Sequence, residues 1–458
     1  MKKLLKPICF LIIGIIIFAF PVRRMFVVND FRIYQTIHGF QKEKKETLDA
    51  VYIGTSKVYA FWQPPVGWND FGITVYSYAV PNMPAHAIKY IVEDARKTQP
   101  DALYIINLPT FYVTDITEDR LHYMVDYMPL SQNKLAMLKT LLDEMGATGL
   151  SRMEYYYPPI RFHSRWEELT SSSFRRVSNG IKGASHYTKF LGFTKKKEEP
   201  GNDEEFAETE EEVVTIDKEK QKETLLDFMD FCEEEQVKIL FMIPPLSESE
   251  AQWIDGLSEI VTERGFDLLD LSDKSDEIGL QPHADYYDES HTNVHGSLKA
   301  TYYLGKYLKD QYGFEDKRGQ KEYTDWDLAR DKYYGEISQY CLDVELENGA
   351  RNYKIKAPAL NGAKYVDDQI TVSWNRSKKA HGYQVYRKTT ISGDKAWRMI
   401  ADIPDTEEKS YSLIDKEILG SGDYIYTVLP YQDTDQGRIY GSFIAKGVQV
   451  SIILTEEE

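Results

Sequence analysis

Short apolar runs alternate with amphipathic segments through the first two thirds of the chain. Five of these runs have the length and composition of buried strands, and segments 85–97 and 248–264 between them have helical periodicity. The strand candidates are 49–53, 73–78, 102–106, 237–243 and 266–271. Continuous apolar strands separated by helices are typical of a parallel sheet covered on both faces. We therefore expect an α/β domain whose ligands bind at the carboxyl ends of the strands.

The pattern changes near residue 352. Shorter strands with alternating polarity follow at 370–374, 382–387 and 424–428, separated by turn sequences. The early Trp374 and the later Tyr424-x-Tyr426-x-Val428 resemble a fibronectin type III module, which implies an all-β immunoglobulin-like sandwich over 352–453. Such a module can serve as a spacer or can bind a glycan or a partner.

The N-terminal segment has the pattern of a membrane anchor. Lys2, Lys3 and Lys6 precede an apolar run from Pro7 to Val22, which spans roughly 24 Å as a helix. The end of the run lacks a small-x-small cleavage site, and the flanking charge favours a cytoplasmic N-terminus. We expect an uncleaved single-pass transmembrane helix in the cell membrane with the bulk of the protein extracytoplasmic; the alternative is a buried core helix.

These patterns divide the chain into four parts. We expect the anchor over 1–28, the α/β domain over 45–315, a linker over 316–351 and the sandwich over 352–453. An insertion over 112–236 separates the third and fourth strands and includes a helix over 134–145. Within the insertion, Arg161, Arg165 and Trp166 are candidates for binding a sugar or an anionic polymer, or form a structural arginine–tryptophan stack.

Composition and missing motifs exclude several functions. The chain has 458 residues with 73 Asp and Glu against 55 Lys and Arg, a net charge of −18, which argues against a nucleic-acid partner. Three cysteines and no C-x-x-C pair give neither a disulfide framework nor a zinc site. The sequence also lacks a phosphate-binding loop, a dinucleotide fingerprint, His-Glu-x-x-His and Gly-x-Ser-x-Gly. We expect no cofactor.

Two short motifs together predict a nucleophilic site. Ser56 follows the first strand in Gly54-Thr55-Ser56, where its hydroxyl and backbone N–H can face a substrate. Asp288-x-x-His291 follows the last strand, and its spacing lets the carboxylate orient the imidazole. Alone, Ser56 could be a helix cap and His291 an ordinary loop residue. Together they predict a Ser56–His291–Asp288 triad at one edge of the sheet.

A metal site is the alternative for the second motif. Five residues with metal-ligand side chains lie close together in the sequence: His283, Asp285, Asp288, His291 and His295. His291 and His295 have the spacing of one helix face, but Gly296 indicates that the helix begins only there. Our prediction for this segment is therefore a triad without a metal.

The order of these motifs resembles the GDSL, or SGNH, hydrolase superfamily over residues 45–312. The resemblance implies a flavodoxin-like sheet with Ser56 as nucleophile, His291 as general base and Asp288 as its orienting partner. It also implies an oxyanion hole formed by the backbone N–H groups of Ser56 and Ala79 together with Asn107. The sequence departs from the family pattern in having Thr55 before the serine and Ala79 in place of a glycine. Asn107 also lacks the preceding glycine of its block.

The anchor and the long insertion resemble membrane-anchored SGNH-like proteins of teichoic-acid D-alanylation and alginate O-acetylation. That resemblance implies a serine esterase or O-acyltransferase acting on a cell-surface polysaccharide or teichoic-acid-like polymer. It further implies a multispanning membrane acyltransferase as partner. The alternative is a non-catalytic surface protein that binds glycan or scaffolds such an acylation complex.

Overall fold

The computed structural model describes residues 31–114, 116–169, 217–281, 285–286, 288, 290–330, 350–352, 354–391, 394–395, 397–434 and 437–454, with Gly14 and Tyr333. Apart from Gly14, the predicted anchor over 1–28 lies outside the described residues, and so does His283. Within the described ranges, no helix has the length and apolar character needed to cross a membrane.

A five-stranded parallel sheet forms the centre of the first domain, which confirms the α/β prediction. Its strands are β1 (Ala50–Gly54), β2 (Val75–Ala79), β3 (Leu103–Asn107), β4 (Ile239–Ile243) and β5 (Asp267–Asp270). They pair in the order β2-β1-β3-β4-β5, the order of flavodoxin-type sheets. The first four strands are buried at every residue, whereas β5 is an edge strand with partly exposed side chains.

Helices cover both faces of this sheet. In chain order the described helices of eight or more residues are α1 (Phe31–Phe40), α3 (Pro64–Phe71), α4 (Ile88–Arg96), α5 (Glu118–Val125), α6 (Gln132–Glu144), α7 (Gly149–Tyr156), α8 (Lys218–Glu234) and α12 (Val294–Tyr312). Shorter α-helices are α2 (Ser56–Phe61), α9 (Glu248–Ala251), α10 (Leu257–Glu263) and α11 (Ser275–Ile278). One face packs mainly on α1, α4 to α6 and α8, the other mainly on α2 and α12.

Helix α1 packs against β2, the last strand on one side of the sheet. The Phe40 ring meets the rings of Tyr76 and Tyr78 edge-on, at centroid distances of 5.3 and 5.5 Å. The Tyr76 hydroxyl donates to the main-chain oxygen of Thr36 at 2.7 Å. Because α1 supplies these contacts, β2 is fully buried although it is the last strand on its side.

Two helices differ from the sequence prediction. The segment 248–264 is interrupted, with a 3₁₀ turn at Gln252–Ile254 and Gly256 at φ +80° before α10 begins. Helix α12 begins at Val294, before the start that Gly296 indicated, because the Asn293 side chain accepts a hydrogen bond from the Gly296 N–H at 3.1 Å. Of His291 and His295, only His295 therefore lies in the helix.

The C-terminal part folds into antiparallel sheets, which confirms an all-β domain. Strands β7 (Leu360–Val366), β8 (Gln369–Asn375) and β11 (Ser410–Asp415) form one sheet. The other contains β6 (Ala350–Arg351), β9 (Gly382–Thr389), β10 (Arg398–Pro404), β12 (Gly422–Thr434), β13 (Gly437–Tyr440) and β14 (Val448–Ile452). Trp374 of the first sheet packs against Tyr383 of the second at 5.8 Å, so the core lies between them.

Candidate active site

Ser56 opens helix α2, two residues after β1 ends at Gly54. At Gly54 the neighbouring strand approaches so closely that a Cβ atom would lie 2.6 Å from Asn107 Cβ and 2.7 Å from Thr110 Oγ1. Only glycine fits such a separation. The close contact of β1 with the end of β3 thus fixes where the Ser56 turn begins.

His291 lies in a loop whose two ends are held together by the backbone. The Asn293 N–H donates to the Asp285 main-chain oxygen at 2.9 Å, and Tyr286 and Thr292 form an isolated antiparallel bridge. The Thr292 hydroxyl also donates to the Ala60 main-chain oxygen in α2. The loop that carries the base is therefore attached directly to the helix that carries the serine.

The three predicted triad residues form a continuous hydrogen-bonded series. Ser56 Oγ lies 2.7 Å from His291 Nε2, and His291 Nδ1 lies 2.9 and 3.0 Å from the two Asp288 carboxylate oxygens. Asp288 Oδ1 also accepts from the N–H groups of Ser290 at 2.9 Å and His291 at 2.8 Å. With Nδ1–H donating to Asp288, Nε2 is free to accept the serine proton.

Asp288 is held in its ionised form. Partial burial acts to raise the pKa of this carboxyl, but the hydrogen bond and charge of His291, with the two backbone N–H groups, outweigh it. The pKa of Asp288 is consequently below its usual value of 3.8. At neutral pH the imidazole therefore has a negatively charged partner that would stabilise its protonated form.

A buried ion pair beside the triad was not predicted from the sequence. Lys57 Nζ lies 2.8 and 2.9 Å from the Glu250 carboxylate oxygens and 3.0 Å from the Ser290 main-chain oxygen. The Lys57 and Glu250 side chains are 9% and 5% exposed, and burial lowers the pKa of Lys57 against the attraction of Glu250. Lys57, the residue after Ser56, thereby also bonds Ser290, the residue before His291.

A small recess lies next to this ion pair. Its walls are apolar groups of Ala60, Phe61, Pro244, Pro245, Tyr286 and Thr292, and Lys57 and Ser290 complete the lining. The two prolines follow β4, so the recess opens at the same edge of the sheet as Ser56.

The two further oxyanion candidates differ in their direction. Asn107 is fully buried, and its Nδ2 donates to the Tyr52 hydroxyl at 3.4 Å. Ala79 pairs with Gly54, and because Val80 N–H donates to Gly54 O at 3.1 Å, ladder alternation directs the Ala79 N–H away from β1. Their assignment as oxyanion donors stays a prediction.

The loop after β2 holds a residue that the sequence analysis did not single out. Asn82 has φ +50°, and the Met83 N–H donates to the Val80 main-chain oxygen at 3.2 Å. Pro81 and Asn82 occupy the two central positions of this turn, where type II turns favour proline and then asparagine. The Pro-Asn dipeptide could therefore have predicted the turn from the sequence. The exposed turn lies at the carboxyl end of β2, on the edge that carries Ser56.

The three candidate polymer-binding residues lie in the insertion. Arg161 Nη1 is 3.6 Å from Asp126 Oδ2, and its guanidinium lies 5.6 Å from the Phe162 ring centroid. Arg165 Nε donates to Glu168 Oε2 at 3.1 Å. Trp166 is 64% exposed. Their substrate-binding role stays a prediction.

The alternative metal ligands have other partners. Asp285 bonds Lys299 at 2.7 Å and Arg398 at 3.1 Å, and Asp288 bonds His291. Counting the described residues alone, no group of three or more His, Cys, Asp or Glu side chains could hold a metal ion.

A second histidine–aspartate pair occurs in the insertion. His122 Nδ1 lies 3.0 Å from Asp126 Oδ1, with both side chains buried on helix α5. The His122 ring stacks on Tyr155 at 4.0 Å.

Comparison with known proteins gives weak similarities. No protein-family model matches the chain, and no curated protein matches it. Pectate lyase PelI from Erwinia chrysanthemi, solved with tetragalacturonic acid, is similar over 19% of this chain and 27% of its own, at 15% identity and TM-score 0.14. The structure of FN3tt mut is similar over 21% of this chain and 97% of its own, at 14% identity and TM-score 0.14. A gut microbial diltiazem-metabolizing enzyme is similar over 78% of this chain and 63% of its own, at 10% identity and TM-score 0.24.

Proposed function

We propose that the protein is a serine esterase or O-acyltransferase of the SGNH type. One observation carries the proposal: Ser56 Oγ, His291 and Asp288 are in hydrogen-bond contact at 2.7 and 2.9 Å at the carboxyl edge of a parallel sheet. A nucleophile, a base and an orienting carboxylate in that order are the groups that acyl transfer requires.

The reaction proceeds in two steps. Ser56 Oγ attacks the ester carbonyl while its proton passes to His291 Nε2, and the tetrahedral intermediate expels the alcohol, which takes that proton. A polymer hydroxyl or water then gives a proton to Nε2 and attacks the acyl-serine ester. The acyl–Oγ bond breaks, Ser56 Oγ takes the proton back from Nε2, and the acylated polymer or the free acid leaves. Asp288 remains ionised and stabilises the imidazolium formed in each step. The Ser56 N–H is the oxyanion donor closest to the reacting carbonyl.

The proposed substrate is a cell-surface polysaccharide or a teichoic-acid-like polymer, and the proposed location is the outer side of the cell membrane. The apolar run at 7–22 supports the location, and the sequence resemblance to polymer acylation proteins supports the substrate. A multispanning membrane acyltransferase is the proposed partner through which the acyl group arrives. The strand pairing of the sandwich supports a fibronectin type III-like module.

A non-catalytic scaffold is the competing function. The burial of Asn107 against Tyr52 and the direction of the Ala79 N–H, away from β1, favour it, because each missing oxyanion donor lowers the rate by about two to three orders of magnitude. Such a protein would keep the fold and bind glycan or organise an acylation complex.

The test treats the full chain, purified in mild detergent, with a fluorophosphonate probe and a chromogenic acetyl ester. We expect labelling and turnover in the wild type and neither in Ser56→Ala. Ser410→Ala, at an exposed position of the sandwich, is the control and should match the wild type. Equal labelling of Ser56→Ala and wild type would remove the proposed nucleophile, and full polymer acylation by Ser56→Ala in cells would favour the scaffold.

A further inference from the structure

The sandwich contacts the α/β domain through two ion pairs with buried carboxylates. Lys395 Nζ lies 2.9 Å from Asp70 Oδ1, and Arg398 Nη2 lies 3.1 Å from Asp285 Oδ1. The Asp70 and Asp285 side chains are 2% and 0% exposed. Buried carboxylates are stable only when they are paired, so these lysine and arginine side chains are integral to the contact.

Asp285 is the residue where the two ends of the His291 loop meet. Its main-chain oxygen accepts from Asn293, the residue that caps α12. Its Oδ2 accepts from the Gln281 N–H at 2.8 Å and from Lys299 Nζ at 2.7 Å. The remaining oxygen, Oδ1, bonds Arg398 from the sandwich. The position of Asp285 therefore depends on both domains.

Arg398 interacts with one carboxylate in each of the two domains. On the sandwich side, Asp394 is buried and interacts electrostatically with Arg398 as well as with Arg387 and His295. His295 belongs to the first turn of α12, directly after the loop. The loop is thus ion-paired with the sandwich at its foot through Arg398, and the helix that follows lies within electrostatic range of Asp394.

We propose that Arg398 of the sandwich is a positioning residue for the His291 loop, so that the sandwich is part of the catalytic unit. The catalytic half of this inference rests on the proposed function, because the loop presents His291 to Ser56. Without the guanidinium, Asp285 keeps Lys299 but loses its link to the sandwich. The loop foot then moves more freely, and the 2.7 Å contact of Ser56 with His291 is populated less often.

The test compares full-length wild type with Arg398→Met, which keeps a long side chain, and Arg398→Lys, which keeps the charge. Arg376→Met is the matched control, since Arg376 pairs with Asp405 inside the sandwich at 3.0 Å. Hydrogen exchange of residues 285–293 is measured together with the rate of Ser56 labelling by a fluorophosphonate.

For Arg398→Met we expect faster exchange at the Asn293 and His291 amides and at least about tenfold slower labelling, the loss typical of one charged hydrogen bond. Turnover of a chromogenic ester should lose kcat with little change in KM. Arg398→Lys should recover much of both effects, and Arg376→Met should show neither. Wild-type exchange and labelling in Arg398→Met would overturn the proposal.

Different results would overturn the proposed function and the proposed role of Arg398. If wild type itself is not labelled, the proposed function fails, while loop exchange still decides whether Arg398 holds the loop. If Arg398→Met does not fold, Asp285→Asn breaks the same ion pair with an isosteric side chain. Unchanged exchange over 285–293 in folded Asp285→Asn would then overturn the role of Arg398.

Discussion

His122–Asp126 and His291–Asp288 are bonded through the same atoms, Nδ1 to Oδ1, at 3.0 and 2.9 Å. The first pair lies on one helix, with side chains 5% and 4% exposed. The second lies in a loop at the sheet edge, with side chains 19% and 45% exposed. The length of the histidine–aspartate bond therefore does not distinguish a buried structural pair from a candidate catalytic one.

The surroundings of each imidazole make the difference. His291 Nε2 faces the Ser56 hydroxyl at 2.7 Å at a solvent-accessible edge. The His122 ring is stacked on Tyr155, and Asp126 also faces Arg161 at 3.6 Å. One pair is placed to take a proton from the Ser56 hydroxyl, whereas the other is packed inside the insertion, so matched substitutions in the two should have opposite consequences.

The largest difference should come from replacing each histidine by phenylalanine. His291→Phe removes the base, and we expect Ser56 labelling and ester turnover to fall by about 10⁴-fold or more. His122→Phe keeps the stack on Tyr155 and should leave the labelling rate of folded protein unchanged. Its melting temperature should fall, since the buried Asp126 loses a partner at a cost of about 1–3 kcal/mol. Equal labelling of the two variants would contradict the comparison.

Replacing each aspartate by asparagine should give the next largest contrast. In Asp288→Asn the side-chain amide can donate to Nδ1 and stabilise the His291 tautomer that has its proton on Nε2. That nitrogen can then no longer accept the serine proton, so turnover should fall by about 10²- to 10⁴-fold with normal folding. Asp126→Asn should change stability without changing turnover. Steady-state kinetics with circular dichroism separates the two effects, and a fully active Asp288→Asn would exclude an orienting role for this carboxylate.

Lys57→Met tests whether the buried Lys57–Glu250 ion pair beside Ser56 stabilises the fold. Glu250 would be left buried and unpaired, so the free energy of unfolding should fall by about 3–5 kcal/mol in urea titrations. The double variant Lys57→Met/Glu250→Gln should regain part of that loss, because it removes the uncompensated charge. If the double variant were no more stable than Lys57→Met, the pair would not be the cause.

The smallest expected effect is a pH dependence of stability. The folded-state pKa of Asp288 is below its ordinary value of 3.8, so its ionised form stabilises the fold above about pH 4. That contribution is lost as the pH falls through the lowered pKa. The difference in melting temperature between wild type and Asp288→Asn should accordingly shrink as the pH falls below about 4. A difference that does not shrink below about pH 4 would contradict the lowered pKa.

The sequence predicted the sheet because β1 to β4 are short apolar runs, a local signal. It also predicted the contact of Ser56 with His291, because residues at the carboxyl ends of parallel strands meet at one edge. It did not predict the Lys57–Glu250 or Arg398–Asp285 pairs, whose members are separated by 193 and 113 positions. Charged residues at such separations have no periodicity that marks them as partners. The inward direction of Asn107 likewise depends on Tyr52 in a neighbouring strand.

Helix α1 has a consequence for how the protein can be shortened. A cut between Phe40 and Leu48 would remove the Phe40 and Thr36 contacts and uncover the side chains of β2, the last strand on its side of the sheet. A strand edge of that kind recruits strands from other molecules. Fragments that begin after α1 should therefore aggregate through β2, whereas fragments that retain Phe31–Phe40 should remain dispersed.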